Sequence, residues 1–251
     1  MQEPKSVKIP VPQDSEASTA IDAEPIVQKA REHGRNLIVV DSDKHCPADW
    51  TGYPVVDAET YLSNPSFQRR SLKVINLCSH PRKLSLGYYV SLLAEARGQR
   101  VIPEAKHLLA LEARHGYVEA LEELGDDLQK TLGRLQSDDF TLSVYFGENV
   151  AATHHDFARK VFRLFQSPML RVTCRRKAGK WNIQRVQHLG LGQVPEGHHY
   201  LIKQELDELL KRGWRTPRGK KIPSYELAIL HNPKEPNPPS NPEALRRFVS
   251  A

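Results

Sequence analysis

The sequence predicts an α/β protein that has an open, mostly parallel sheet with flanking helices and an appended β-hairpin. Short branched apolar runs alternate with helical segments along most of the chain, and this alternation is typical of parallel strands joined by helices. One pair of runs, 170–176 and 180–187, is separated only by Lys177-Ala178-Gly179, which predicts a hairpin. The two patterns together favour a parallel sheet with an antiparallel segment attached.

The totals fit a soluble globular protein. The chain has 251 residues, of which 39% are hydrophobic and 26% charged, so it is long enough for a substantial core. No apolar run approaches the roughly 20 residues of a membrane helix, and the first residues lack the apolar core of a secretory signal. Three widely spaced cysteines form neither a disulfide framework nor a C-x-x-C metal motif. These features predict the reducing cytoplasm as the compartment.

The first elements follow from apolar runs and capping residues. The polar residues 1–24, which include Pro10 and Pro12, predict a disordered extension. Next come a helix at 26–33 that ends at Gly34, strands at 37–40 and 53–56, and a helix at 57–63 capped by Asp57. The first strand ends in Asp41-Ser42-Asp43, and this acidic pair is interpreted as a turn cap or, alternatively, as a metal or ribose ligand.

Residues 74–98 form the unit around which the chain is organised. They predict a buried strand at 74–77, a basic turn, and a helix at 85–97 that has Ser85 as its N-cap and Gly98 as its stop. Apolar residues on much of this helix predict deep burial. A strand that runs into a helix N-terminus, with basic residues at the junction, is typical of an anion site. The alternative is a capped turn whose charges face water, and neither G-x-G-x-x-G nor a P-loop motif is present.

The second half predicts further strands and helices in alternation. Strands are predicted at 100–102, 141–146 and 225–231, and helices at 104–112 after Pro103, at 118–135 with a leucine stripe, at 151–165, and from Pro195 to Gly213. Glu148 and Asn149 project from the end of the strand at 141–146. If the strands are parallel neighbours, one crevice lies between Asp41, the turn at 78–85 and the turn at 147–149.

Catalytic and metal motifs are not apparent. Cys78 lies close to His80, which would lower the pKa of an accessible thiol, but a cysteine at the end of an apolar strand is more often buried and inert. The pairs His154-His155 and His198-His199 place adjacent side chains about 100° apart on a helix, a poor geometry for one metal. We therefore predict no catalytic residue and no metal site in this chain.

The formal charge of +6 is concentrated in two segments. One contains Arg171, Arg175, Arg176, Lys177, Lys180 and Arg185, and the other contains Lys211, Arg212, Arg215, Arg218, Lys220 and Lys221. Such clusters attract nucleic acid, phosphorylated ligands or an acidic partner, and they are also what solvated hairpins and loops contain. Each cluster contains a single aromatic residue, Trp181 in the first and Trp214 in the second, and a lone aromatic more often anchors a loop than stacks on a base.

Several fragments resemble a known family. The central signature is Asn76-Leu77-Cys78 followed by SLGYYVSLLAEARG at 85–98. Three more fragments occur in the expected order: NLIVVD at 36–41, SVYFGEN at 143–149 and YELAILHNP at 225–233. Together they resemble the N-terminal domain found on RimK-like ATP-grasp ligases. The resemblance covers residues 36–251. Gln99 and Asn232 stand where the family usually has His and Asp, and the turn at 80–83 is less aromatic than in the family.

The resemblance implies an accessory domain, substrate-binding or scaffolding, of a ligase that joins a carboxylate to an amine. It implies the domain itself at 25–222, and a linker with the first βα unit of an ATP-grasp region at 223–251. This chain is expected to lack the ATP-grasp catalytic core, so ATP and Mg²⁺ are expected only with an ATP-grasp domain. That domain would act in cis or in trans. An acidic peptide or protein is a possible substrate. The residues expected to bind substrate or an anion are Arg82, Lys83, Ser85, Gly87, Tyr88, Glu148 and Asn149. The alternative function is that of a basic nucleic-acid- or ribosome-associated binding protein.

Overall fold

A computed structural model describes residues 23–79, 85–113 and 118–212, without the side chains of residues 118–120, 123, 152 and 212. Several predictions lie outside these residues: residues 1–22 of the extension predicted at 1–24, the turn at 80–83, the end of the last helix at Gly213, and everything predicted for 214–251.

Four short strands form a sheet that is parallel throughout. They are β1 (Asn36–Val40), β2 (Val55–Asp57), β3 (Lys73–Asn76) and β4 (Arg100–Ile102), in the order β2-β1-β3-β4. All five residues of β1 are buried, because β1 is a central strand and both faces of the sheet are covered. The strand order changes direction between β1 and β3, so the carboxyl ends of these two strands lie side by side.

One face of the parallel sheet carries three helices. They are α1 (Glu24–Glu32), α2 (Ala58–Ser63) and α3 (Leu86–Ala96). The buried residues of these helices form one apolar core with the strands. The strands contribute Leu37, Val39, Val74 and Val101. The helices contribute Val27 and Ala30 from α1, Ala58 and Tyr61 from α2, and Val90 and Ala94 from α3.

Three further strands form a separate antiparallel sheet. They are β5 (Asp139–Tyr145), β6 (Met169–Lys177) and β7 (Lys180–His188), in the order β5-β6-β7. One end of this sheet and helix α7 (His199–Arg212) cover the second face of the parallel sheet. That core joins Ile38, Val40, Ile75 and Leu77 to Tyr145, Met169 and Leu189, and to Leu201, Ile202 and Leu206 of α7.

The inner face of the antiparallel sheet packs against helices. These are α4 (Ala105–Glu112), α5 (Val118–Leu132) and α6 (His155–Phe165). The leucine stripe of α5 is buried here at Leu124, Leu128 and Leu132, as predicted. The side chain of Gln129 on α5 donates to the carbonyl of Trp181 at 2.7 Å and accepts from its N–H at 2.9 Å. This amide satisfies backbone groups of β7, an edge strand that would otherwise leave them unpaired.

The predicted fold class is confirmed, and so are several local signals. Asp57 caps α2 by accepting from the Thr60 N–H at 2.9 Å, and Gly98 follows α3 with a φ of +69°. The hairpin between β6 and β7 turns through Ala178 and Gly179, whose φ values are 49° and 76°. Positive φ at both central positions is what a tight two-residue hairpin loop requires.

Two expectations from the sequence are corrected. The strand β5 does not join the parallel sheet, because it pairs antiparallel with β6 from Asp139↔Arg175 to Tyr145↔Met169. Helix α3 is not buried deeply on all sides. Its sheet-facing side is made of Gly87, Val90, Ser91 and Ala94, whereas Leu86, Tyr89 and Leu92 are 43%, 37% and 37% exposed. A helix that lies on one face of a sheet buries one stripe only.

The described helices are either too short or too polar to span a bilayer.

Candidate functional site

The β3–α3 junction is held by a buried asparagine at the end of β3. Asn76 Nδ2 donates to the carbonyl of Gly87 at 2.7 Å and to Ser91 Oγ at 2.9 Å, and Asn76 Oδ1 accepts from the Cys78 N–H at 3.0 Å. Ser91 Oγ in turn donates to the Pro103 carbonyl at 2.7 Å. One side chain therefore connects the strand, the first turn of the helix and the segment after β4.

Gly87 lets α3 approach the end of β3 closely. A Cβ at this position would lie 2.4 Å from the Ser79 carbonyl oxygen and 3.0 Å from Cys78 Cβ. Any side chain would therefore push the first turn of α3 away from the strand. The predicted site residue Gly87 thus has a clear structural role, and that role places the helix N-terminus against the chain that leaves β3.

The first turn of α3 offers backbone donors. Ser85 is the N-cap, and its Oγ accepts from the Tyr88 N–H at 3.4 Å. The N–H groups of Leu86 and Gly87 have no partner among the described residues. The Tyr88 ring is half-buried and makes an edge contact with Tyr89, with 5.8 Å between ring centroids. These donors lie at the positive end of the helix dipole, where an anion is favoured.

The carboxyl ends of β1 and β3 are joined, as the predicted crevice requires. Asp41 Oδ2 accepts from the Ser79 N–H at 2.8 Å, which ties the loop after β1 to the loop after β3. The chain that follows β7 then packs on these ends. The Leu191 N–H donates to the Leu77 carbonyl at 2.8 Å, and a Cβ on Gly190 would lie 2.4 Å from the Ser79 nitrogen. The point where open α/β sheets commonly bind ligands is therefore partly filled by the protein's own backbone.

A buried histidine connects the two sheets by hydrogen bonds. His188 Nε2 lies 2.7 Å from the carbonyl oxygen of Cys78, and its Nδ1 lies 2.6 Å from Ser167 Oγ. Because a carbonyl oxygen can only accept, Nε2 donates to it, and in the neutral ring Nδ1 then accepts from the serine hydroxyl. Both side chains are buried, with Ser167 wholly inaccessible, so this serine–histidine pair is interpreted as structural.

The turn at 147–149, the third segment of the predicted crevice, follows a strand of the antiparallel sheet. Glu148 Oε2 lies 2.5 Å from His155 Nδ1, and Glu148 Oε1 accepts from Arg159 Nε and Nη2 at 2.9 and 2.8 Å. The described side-chain partners of Glu148 are thus on α6. Asn149 is 3% exposed, and neither its oxygen nor its nitrogen has a hydrogen-bond partner among the described residues. No described hydrogen bond joins this turn to the first turn of α3, because β5 belongs to the other sheet.

Arg82 and Lys83, the two basic residues of the predicted site, lie outside the described residues. The structure therefore places five of the seven predicted residues and brings Ser85, Gly87 and Tyr88 together on one helical turn. It holds Glu148 and Asn149 on a different turn.

The thiols are buried or half-buried. Burial raises the pKa of Cys78 well above its ordinary value, and Asp41 adds to the effect. Burial likewise raises the pKa of Cys174 to about 12 and, together with Asp43, that of Cys46 to about 11. A reactive thiol needs the opposite shift, so the interpretation of Cys78 as inert is favoured over thiol catalysis.

In the described ranges, no three His, Cys, Asp or Glu side chains are grouped closely enough to hold a metal ion.

Sequence reasoning missed Asn76 and His188. Asn76 is the one polar residue of the run Val74–Cys78, and a polar residue inside an apolar strand is a signal that it has buried partners. His188 ends an ordinary alternating strand, and nothing in its local sequence distinguishes it. Its partners come from residues 110 positions earlier and 21 positions earlier in the chain.

Comparison with known proteins gives one result. The family described as RimK-like ATPgrasp N-terminal domain matches residues 58–205, which include α2, the β3–α3 junction and the whole antiparallel sheet. No curated protein matches the chain. Because the match spans more than half of the 251 residues, the chain belongs to the RimK-like ATP-grasp N-terminal domain family.

Proposed function

We propose that this chain is the accessory N-terminal domain of a RimK-like ATP-grasp ligase, and that it binds or presents the ligase's substrate. The observation that carries the proposal is the family match over residues 58–205. A ligase of this kind activates a carboxylate with ATP as an acyl phosphate, and an amine then displaces the phosphate to form an amide. ATP and Mg²⁺ would be bound by the ATP-grasp domain, in cis or in trans, and this chain would supply substrate binding.

The proposed binding place is the first turn of α3. The N–H groups of Leu86 and Gly87 lack described partners, and the positive end of the helix dipole favours a negative charge at the same spot. A carboxylate or phosphate group of the substrate would accept from these donors, and Arg82 and Lys83 lie just before them in the sequence. Holding a substrate in this way lowers the entropic cost of bringing it to the ligase.

The β5–α6 turn is a second place in the proposal. Its Glu148 pairs with His155 and Arg159, whereas the buried amide of Asn149 has no hydrogen-bond partner in the part of the chain that the structure describes. An unpaired buried amide has a free-energy cost that a bound ligand would relieve. We therefore expect Asn149, rather than Glu148, to contribute if a substrate reaches this turn.

Ser85→Asp tests the α3 site without removing the helix cap. Aspartate caps helices as well as serine does, so the stability of the protein should be nearly unchanged. Its negative charge would repel an anionic substrate, and we expect KM to rise about tenfold with kcat changed less. Arg82→Ala should have the same effect. Lys180→Ala, at the tip of the hairpin, is the control and should leave KM unchanged. Unchanged KM in both site variants would refute binding at α3.

The ligase partner must be identified first. Capture of the endogenous protein from its own cells, followed by intact mass measurement, would show whether the domain lies in a chain heavier than 28.5 kDa. A heavier species would indicate a ligase in cis, and a co-purifying ATP-grasp protein would indicate one in trans. If neither is found, and adding ATP with Mg²⁺ to the captured material forms no amide, the ligase-accessory proposal is wrong.

A further inference from the structure

Beyond the end that packs on the parallel sheet at Tyr145, Met169 and Leu189, the outer face of the antiparallel sheet is polar along all three strands. Residues paired across strands share a face, and the register puts Ser143 opposite Arg171 and Thr173 opposite Arg185. The residues between them in each strand, such as Val144, Val172 and Val186, point into the core. The outward residues are all exposed or half-buried and are called here the open face: Asp139, Thr141, Ser143, Arg171, Thr173, Arg175, Asn182, Arg185 and Gln187.

Two arginines of the open face carry charges that no described carboxylate balances. Arg175 pairs with Asp139 at 2.7 Å. Arg171 instead donates to the Gln193 carbonyl at 3.5 Å, and Arg185 makes no ion pair with a described residue. The next basic residue of the hairpin, Arg176, points to the opposite side, where its guanidinium lies 4.8 Å from the centroid of the Trp181 ring. The open face therefore has an excess of positive charge at Arg171 and Arg185.

The spacing of these two arginines suits an extended polypeptide. Arg171 is opposite Gln187, which lies two residues from Arg185, so the two arginines are diagonal neighbours about 7–8 Å apart at the backbone. In an extended chain, side chains on the same side repeat about every 6.8 Å. Acidic residues at alternate positions would therefore meet Arg171 and Arg185 in turn. The hydroxyl groups of Thr173 and Ser143 would add hydrogen bonds to carboxylate oxygens.

We propose that the open face binds an extended acidic segment of a partner polypeptide through Arg171 and Arg185. The argument is charge complementarity, because each guanidinium can hold a carboxylate through two parallel hydrogen bonds. This surface is separate from the α3 turn, and the proposal does not depend on the ligase function. Nucleic acid is disfavoured, since the open face has no aromatic residue for stacking bases and two arginines without a described carboxylate partner release few counterions.

The test uses fluorescence anisotropy with the full chain. The probes are a labelled peptide of alternating Glu and Ser, the same peptide with Gln in place of Glu, and a labelled single-stranded RNA. The face variant is Arg171→Gln with Arg185→Gln. The matched control is Lys177→Gln with Lys180→Gln, which removes the same charge from the exposed tip of the same hairpin. Circular dichroism verifies that both variants are folded.

The acidic peptide should bind the wild-type protein, and the Gln peptide should not. The face variant should bind it about five- to tenfold more weakly, while the tip variant stays within about twofold of the wild type. Equal losses in the two variants would mean that only net charge matters, and this would overturn the proposal. Tighter binding of RNA, lost in the face variant, would make the face a nucleic-acid site instead. A wild-type dimer that the face variant dissociates, seen by sedimentation, would assign the face to a second copy of the chain.

Discussion

Replacing Gly87 with Ala tests whether α3 is seated directly on the chain that leaves β3. The added Cβ would lie 2.4 Å from the Ser79 carbonyl oxygen, whereas ordinary contacts begin at 3.4 Å, so the two backbones must separate by about 1 Å. This movement would also stretch the 2.7 Å hydrogen bond from Asn76 to the Gly87 carbonyl. Strain of this kind costs about 1–3 kcal/mol, and the weakened hydrogen bond adds about 1 kcal/mol.

Helix propensity acts in the opposite direction. Alanine is favoured over glycine in a helix by about 1 kcal/mol, so the net effect of Gly87→Ala should be a loss of about 1–3 kcal/mol in the free energy of unfolding. Gly125→Ala in α5 is the matched control, because a Cβ there meets no atom of the described residues within 4 Å. This second variant should gain up to about 1 kcal/mol from propensity alone.

Urea unfolding of both variants, followed by circular dichroism, measures the two effects on one scale. The expected result is opposite signs: the midpoint falls for Gly87→Ala and rises for Gly125→Ala. If Gly87→Ala is as stable as the wild type while Gly125→Ala is stabilised, the close approach of α3 to the end of β3 is wrong. The placement of the α3 N-terminus as a binding site would then be wrong as well.

Three further predictions concern buried polar groups. Asn76→Ala should lower the free energy of unfolding by about 3 kcal/mol or more, because it leaves two acceptors and one donor without their amide partner. The control is Asn182→Ala, at an exposed position of β7, which should change the free energy of unfolding by under about 0.5 kcal/mol. Burial lowers the pKa of His107 from 6.5 to about 4, so the unfolded chain takes up a proton first as the pH falls. Stability should be full above about pH 6.5 and fall by about 2 kcal/mol at about pH 5, a loss that His107→Leu removes. The three thiols should react slowly with iodoacetamide in the native protein at about pH 8, and all should react after unfolding, because burial raises the pKa of Cys46, Cys78 and Cys174.

Each of these predictions has a direct contrary outcome. Equal losses of unfolding free energy in the Asn76 and Asn182 variants, measured by urea unfolding, would show that the buried hydrogen bonds of Asn76 stabilise the fold no more than an exposed asparagine does. The same pH dependence in the wild type and in His107→Leu would mean that another group controls acid unfolding. Rapid labelling of Cys78 in the native protein, located by peptide mass spectrometry, would restore the possibility of an activated thiol.

Local sequence patterns are enough to predict most of the elements of this protein. Caps at Asp57 and Ser85 and the glycine at 98 act within a few residues of themselves, so their effect can be read without knowing the fold. The same holds for the hairpin, because a two-residue loop leaves its flanking strands no other partner nearby. The family resemblance rests on the signature at the β3–α3 junction and on three further fragments, and the family match confirms the family.

Pairing and contact across long stretches of chain were decided only by the tertiary structure. The pattern of β5 is that of a half-buried strand in either kind of sheet, and only its pairing with β6 shows that the turn carrying Asn149 does not lie in the parallel sheet. The role of His188 depends on Cys78, 110 residues earlier. Periodicity records which side of an element is apolar, but it does not record which distant element covers that side. The sequence therefore determined the kinds of element and the family, and folding determined which predicted site residues came together.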